Sequence, residues 1–205
     1  MIISESEKEV RAKYWHPQVG QVVVDIGCQN GLYSLPALQA GATVYAIDPD
    51  KCSLYDLVTN AEGQTSGLTT IACALGEESG YPEDTWEEME TTKNNDGGTG
   101  VFYLFPRSTP FTTLDKLVQK CNITRLDWIK IDVEGGELSV LKGAVNSLTK
   151  FHPALLIEDH SLVYAFCRDN NFTGQIKQLL TSLNYQIEDY YYDKEHPPRG
   201  YIIAK

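Results

Sequence analysis

Short runs of consecutive apolar residues alternate along this chain with segments whose apolar positions recur every three or four residues, and the runs end in acids or glycines. Apolar runs bounded by turn signals read as buried strands, whereas three-and-four spacing reads as one face of a helix. Gln21 to Ile26, Thr43 to Ile47, Leu68 to Cys73, Leu126 to Val133 and Ala154 to Ile157 are five such strands. Between them the pattern predicts helices from Leu32 to Ala40, closed by Gly41, and from Lys51 to Ala61. Further helices follow from Thr112 to Cys121, capped by Thr112 or Thr113, and from Glu137 to Leu148, where Leu138, Leu141, Ala144, Val145 and Leu148 share a face. Parallel neighbours need a crossover element between them, so this order is that of a doubly wound α/β sheet.

The two ends of the chain depart from that rhythm. Ser4 to Tyr14 is a charged helix expected to cover one edge, ended by His16-Pro17. After a helix from Gly174 to Leu183, Tyr185 to Tyr191 and Tyr201 to Ala204 form a hairpin around Pro197-Pro198-Arg199-Gly200, which makes the last strand antiparallel on a mostly parallel sheet. Residues 77–100, centred on Asn94-Asn95-Asp96-Gly97-Gly98, are too polar to bury a core of their own; they read as a surface insertion or a substrate-gating lid, with a short strand from Val101 to Phe105 beyond them. No repeat or linker divides the chain, and residues 1–205 read as one domain.

Charge removes whole classes of partner. With 17 Lys+Arg against 28 Asp+Glu the net charge is −11, which repels phosphate backbones and argues against nucleic acid and anionic membranes. No apolar stretch approaches the ~20 residues of a spanning helix, and Met1 to Arg11 does not resemble a secretory signal. Cys28, Cys52, Cys73, Cys121 and Cys167 are scattered with no CxxC pair, which suits a reducing cytoplasm. The sequons Asn122-Ile123-Thr124 and Asn171-Phe172-Thr173 then read as chance.

The candidate chemistry lies where the strands end. After the first strand come Gly27-Cys28-Gln29-Asn30-Gly31, whose two glycines are expected to let a ligand approach the backbone. The middle glycine of a dinucleotide fingerprint is missing and no GK[ST] follows, so NAD and ATP are disfavoured. An adenosine cofactor without phosphates remains, and S-adenosylmethionine fits. Asp25 is then expected to hold its ammonium, with the Gly27 to Gly31 amides alongside. Asp48, before Pro49, ends the second strand where an acid can accept both ribose hydroxyls; helix capping is the competing reading for both acids. Ala74 and Leu75, after the third strand, could sandwich the adenine or simply pack.

Asp132 and Glu134 alternate about Val133 at the end of the fourth strand, so both face one way, and Glu158-Asp159-His160 repeats the arrangement at the fifth. Paired carboxylates beside a histidine suit removal of a proton from a hydroxyl. His160 is the expected general base, since an ordinary histidine is largely neutral near pH 7. A competing version places Mg²⁺ on Asp132, Glu134, Glu158 or Asp159. Tyr14, Trp15, Trp86, Tyr103 and Tyr190 to Tyr192 are candidates for stacking on a sugar ring.

Val24-Asp25-Ile26-Gly27-Cys28-Gln29-Asn30-Gly31, Ala46-Ile47-Asp48-Pro49, Thr113-Leu114-Asp115, Ile129-Lys130-Ile131-Asp132-Val133-Glu134-Gly135 and Ile157-Glu158-Asp159-His160 together resemble the FkbM-type S-adenosylmethionine-dependent methyltransferases. The resemblance implies a seven-stranded Rossmann-like fold and O-methylation of a sugar, glycan or natural-product hydroxyl. It also implies cofactor roles for Asp25, Gly27, Gly31 and Asp48, with Asp132, Glu134 and His160 around the transferred methyl. Cys28-Gln29 departs from the family's more usual Ala-Asn. A short-chain NAD-dependent oxidoreductase or epimerase is a second reading, but the Tyr-x-x-x-Lys pair it needs is not suitably placed. A non-catalytic adenosine-binding module is a third. The chain could also be a domain of a larger glycan-assembly protein.

Overall fold

The computed structural model describes residues 5–77, 90–92, 101–103, 111–192 and 199–205. In chain order these form α1 (Glu5–Tyr14), β1 (Val22–Ile26), α2 (Ser34–Gln39), β2 (Thr43–Ile47), α3 (Lys51–Asn60), β3 (Leu68–Ile71) and β4 (Ala74–Leu75). Then come β5 (Glu90–Thr92), β6 (Val101–Tyr103), β7 (Phe111–Thr112), α4 (Leu114–Lys120), β8 (Trp128–Ile131), α5 (Glu137–Lys142), α6 (Val145–Phe151) and β9 (Ala154–Asp159). A 3-10 turn at His160–Leu162 leads into α7 (Ala165–Asp169), α8 (Phe172–Ser182), β10 (Ile187–Tyr192) and β11 (Arg199–Ala204).

Seven strands make one sheet in the order β10-β11-β9-β8-β1-β2-β3. β1 pairs in parallel with both β2 and β8, while β11 runs antiparallel to β9 and β10. The mostly parallel doubly wound sheet and its antiparallel last strand are therefore as the sequence pattern predicted. Alternation along each strand sends neighbouring side chains to opposite faces. Val24, Ile26 and Ile129 pack on the face covered by α4, α5, α6 and α8, through Leu117, Leu141, Leu148 and Leu180. Val23, Val44 and Leu156 pack on the other face with α1, α2 and α3, through Val10, Ala37 and Leu54. Each such fully buried aliphatic contributes about 1.5–3 kcal/mol.

Tertiary contacts move several boundaries. The helix expected over Glu137 to Leu148 is two helices, broken at Gly143 and Ala144. A Cβ on Gly143 would lie 1.9 Å from the Gly76 carbonyl oxygen, so only glycine lets the two segments meet there. Asp115 then caps the second helix from across the fold: Oδ1 accepts from Ser147 N at 2.7 Å and Oδ2 from Asn146 N at 3.0 Å. The apolar spacing continues across the break, which is why the pattern read as one helix. The short helix α7 was not anticipated. Most of the expected lid, the Pro197-Pro198 turn and Trp86 lie outside the described residues; within the expected strand from Val101, β6 pairs antiparallel with β5.

Candidate active site

In open α/β sheets ligands bind beyond the carboxyl ends of the strands, where the order of connections reverses. Here that point is β1, flanked by β2 and β8. A cavity of about 550 Å³ opens there, lined by Ile26, Gly27, Gln29, Ile47, Asp48, Pro49, Ser53, Cys73, Ala74, Leu75, Phe111, Asp132, Val133, Glu134 and Gly136. It runs from the ends of β2 and β3 to the end of β8.

At the β2 end the carboxylate of Asp48 is set by the backbone. Its Oδ1 accepts from Asp50 N at 2.8 Å and its Oδ2 from Gln29 N at 3.0 Å. Burial pushes its pKa up against those two amides. Asp50, not Asp48, caps α3, accepting from Cys52 N. Gln29 reaches its position with φ of 45°, the left-handed region. Gly27 is needed for close approach within the fold: at φ 76° a Cβ there would lie 1.7 Å from the Asp132 carbonyl oxygen.

Four residues expected to touch a cofactor do not line the cavity. Gly31 corrects the expectation that its missing side chain admits a ligand, because a Cβ there would lie 2.3 Å from Leu57 Cδ1 and 2.8 Å from Leu35 Cγ. The space it vacates is filled by core packing. Cys28 is buried, Asn30 offers its carbonyl to Asn60 Nδ2, and Asp25 is buried outside the cavity lining. Asp25 accepts from Ser34 Oγ at 2.6 Å, and burial raises its pKa to about 6. Its Oδ1 has no hydrogen-bond partner among the described residues. Gln29 lines the cavity within the loop whose amides were expected there, whereas Ser53 and Phe111 line it without having been anticipated.

The β8–β9 end is a charge cluster. Lys130, 1% exposed, pairs with Asp132 Oδ2 at 3.2 Å. Burial opposes both charges; the neighbouring carboxylates nevertheless raise the lysine, while Lys130 and His160 hold Asp132 below the usual carboxylate range. His160 is 5% exposed and its Nδ1 lies 2.9 Å from Glu137 Oε1. Its Nε2 stands 3.4 Å from Glu134 Oε2, 3.7 Å from Asp132 Oδ1 and 4.0 Å from Glu158 Oε1. Burial pulls the imidazole down, but the Glu137 hydrogen bond and the charges of Glu137, Glu158 and Asp132 outweigh it and lift the pKa to about 9. The neutral imidazole expected of an ordinary histidine is therefore not what these surroundings favour at pH 7. Carboxylates clustered this closely stabilise imidazolium.

Two residues the sequence left unread organise this end. Glu137 Oε1 accepts from Val133 N and Gly135 N, both at 3.1 Å, as well as from His160, and so ties the turn after β8 to the histidine. A glutamate in the first turn of a helix after Gly135-Gly136 was the available signal. Tyr164 stacks on His160 with ring centroids 5.7 Å apart and donates to Glu134 Oε2 at 2.6 Å, holding that carboxylate at φ 54° beside the cavity. Asp159 turns away, accepting from Ser161 N and Thr173 Oγ1, which removes it from the expected Mg²⁺ ligand set. Among the described residues Asp132, Glu158 and His160 offer ligand atoms within 4.8 Å of one another. The aromatic candidates also change: Tyr14, at the end of α1, and Trp15 after it are buried, and Tyr190 packs on Tyr14 and donates to Glu9. Tyr191 is exposed, and nothing is described of the Tyr103 and Tyr192 side chains.

A seven-stranded sheet with this order, and a cavity at its switch point bounded by acids, defines the Rossmann-like methyltransferase class. The chain matches the methyltransferase FkbM domain over residues 25–187 and belongs to that family. Its fold is similar to that of the FkbM methyltransferase from Methylobacillus flagellatus KT, with a TM-score of 0.63 and 21% identity over 95% of this chain. That match takes up 46% of the Methylobacillus chain, so the present chain spans about half its length. It is also similar to the precorrin-6y C5,15-methyltransferase of Geobacter metallireducens GS-15, at TM-score 0.58 and 14% identity over 100% of this chain and 90% of that one. Fibrillarin from Aeropyrum pernix, solved with natively bound S-adenosylmethionine, matches at TM-score 0.54 and 10% identity over 98% of this chain and 73% of that one. No curated protein matches the chain. No helix among the described residues is long and apolar enough to cross a membrane.

Proposed function

We propose that this chain binds S-adenosylmethionine in the cavity at the β1 switch point and transfers its methyl group to a hydroxyl of a sugar or glycan. The observation that carries the reading is Asp48: two backbone amides fix its carboxylate at the cavity wall, and the lone pairs left on its two oxygens can accept a pair of vicinal hydroxyls. Ala74, Leu75 and Phe111 then flank the adenine. Asp25, buried with one unpaired oxygen, attracts the ammonium of the methionine part by its charge rather than by lining the cavity. The cofactor bound by the fibrillarin relative supports the same choice.

The sulfonium end of such a ligand faces Asp132 and Glu134. The acceptor oxygen attacks the methyl carbon, the carbon–sulfur bond breaks, and sulfur leaves as the neutral thioether. Holding oxygen, carbon and sulfur in line supplies most of the acceleration. A sugar hydroxyl must also lose its proton, which passes to Glu134, the exposed carboxylate of the cluster, with Asp132 and His160 beside it. A positive sulfonium placed beside His160 opposes the imidazolium and shifts it toward the neutral form.

The test is methyl transfer from S-adenosylmethionine carrying a trideuterated methyl group to a panel of glycosides and oligosaccharides, read by mass spectrometry. A +17 Da product, CD₃ replacing H, is expected for at least one neutral glycan (~17 Da per methyl transferred, set by bond formation at one oxygen). Cofactor binding with no labelled product on sugar, polyketide or other hydroxyl acceptors would favour the non-catalytic module instead.

A further inference from the structure

We propose that Asp132, Glu158 and His160 form a binding site for a first-row divalent cation, with Mn²⁺ the best fit. The ligand atoms lie within 4.8 Å of one another at the adjacent ends of β8 and β9. Metal–ligand bonds of about 2.1 Å place neighbouring ligand atoms about 3–3.5 Å apart, so the observed 3.7 and 4.0 Å from Nε2 to the two carboxylates need only a small contraction.

The surroundings of the histidine point the same way. His160 is nineteen-twentieths buried, and its Nδ1 is committed to Glu137 at 2.9 Å. Nε2 closes no hydrogen bond among the described residues, although three carboxylate oxygens surround it. A carboxylate that takes the Nδ1 proton, leaving Nε2 aimed at further acids, is the outer-shell arrangement of a metal-ligating histidine. Asp132 is oriented in the same manner: Oδ2 is held by Lys130 at 3.2 Å, and Oδ1 is the oxygen that faces His160. Five carboxylates (Asp25, Asp132, Glu134, Glu137 and Glu158) surround one lysine and one histidine, so the cluster has charge to spare for a cation.

The ligand set selects among cations. Two carboxylates with one imidazole favour Mn²⁺ over Mg²⁺, which prefers oxygen alone. In the methyl-transfer reading, on which this role rests, the cation binds the acceptor hydroxyl oxygen and lowers its pKa. The released proton passes to Glu134, the exposed carboxylate on the cavity side, and from there to water; the oxygen's electron pair forms the bond to the methyl carbon as the carbon–sulfur pair returns to sulfur.

Titration of Mn²⁺ into the chelator-stripped full chain, followed by calorimetry and electron paramagnetic resonance, tests the site without cofactor or acceptor. One tight ion is expected, showing coupling to an imidazole nitrogen. His160→Gln should abolish that coupling, and His160→Gln and Glu158→Gln should each weaken Mn²⁺ at least tenfold, with Glu137→Gln costing about 10–100-fold. Circular dichroism identifies any variant that fails to fold, and the nitrogen coupling in the wild-type chain decides the question if one does. Absence of binding at millimolar Mn²⁺, binding without nitrogen coupling, or binding indifferent to all the folded variants overturns the proposal. Such a failure leaves S-adenosylmethionine binding to be judged by its own titration, so the two readings fall separately.

Discussion

The two ends of the cavity are built by different means. At the β1–β2 end the backbone does the positioning: Gln29 and Asp50 amides orient Asp48, and Gly27 lets the ends of β1 and β8 nearly touch. At the β8–β9 end, buried side chains position one another, Lys130 holding Asp132, Glu137 holding His160 and Tyr164 holding Glu134. A backbone-built end tolerates little change of shape, whereas a charge-built end depends on keeping its ions balanced. The first suits a ligand that is always the same, and the second suits chemistry in which charge moves.

If that division holds, substitutions should separate the two ends. The largest effect is expected from His160→Ala, which should depress methyl transfer about 10²–10⁴-fold while S-adenosylmethionine affinity stays within about twofold. Parallel loss of affinity would place the histidine in the cofactor half. Gly27→Ala forces φ 76° on a residue with a Cβ and drives it against a backbone oxygen, so unfolding should become easier by at least about 2 kcal/mol in urea titrations. An unchanged midpoint would show that the β1 and β8 ends have room between them. Asp48→Ala removes charged hydrogen-bond acceptors and should weaken S-adenosylmethionine about 10–100-fold by calorimetry, with a smaller change in turnover at saturating cofactor.

A separate effect is expected on stability against pH in chelator-treated protein. His160 has its pKa raised to about 9 in the folded state, against about 6.5 unfolded. Its contribution is therefore complete below about pH 6.5 and is lost as pH rises through about 9. Comparison of urea midpoints from pH 6 to pH 10 should show a decline that His160→Gln removes (~pH 6.5–9, the interval between the two pKa values). A flat profile in both proteins would mean the carboxylates do not hold the imidazolium.

Much of the fold was legible because burial on both faces leaves a continuous apolar run, as in Val22-Val23-Val24, and because Gly41, Thr113 and Pro153 punctuate it chemically. What was not legible depends on contacts distant in sequence. Nothing local marks Gly143 as a break, since the reason is the carbonyl of Gly76. Gly31 looked like an opening for a ligand, yet it is occupied by Leu35 and Leu57. The acids at the strand ends could be located from strand periodicity alone. Which of them meet could not: Glu158 reaches the His160 cluster while Asp159 turns to Thr173, and Glu137 and Tyr164 join it from α5 and from the turn before α7. The raised pKa of His160 was hidden for the same reason, because it comes from three carboxylates, Glu137, Glu158 and Asp132, carried on three different segments.

The most direct test of the central claim is a calorimetric titration of the full chain with S-adenosylmethionine. The account predicts saturable binding of one molecule per chain, in competition with S-adenosylhomocysteine. No heat of binding at millimolar ligand, confirmed by equilibrium dialysis, would contradict it.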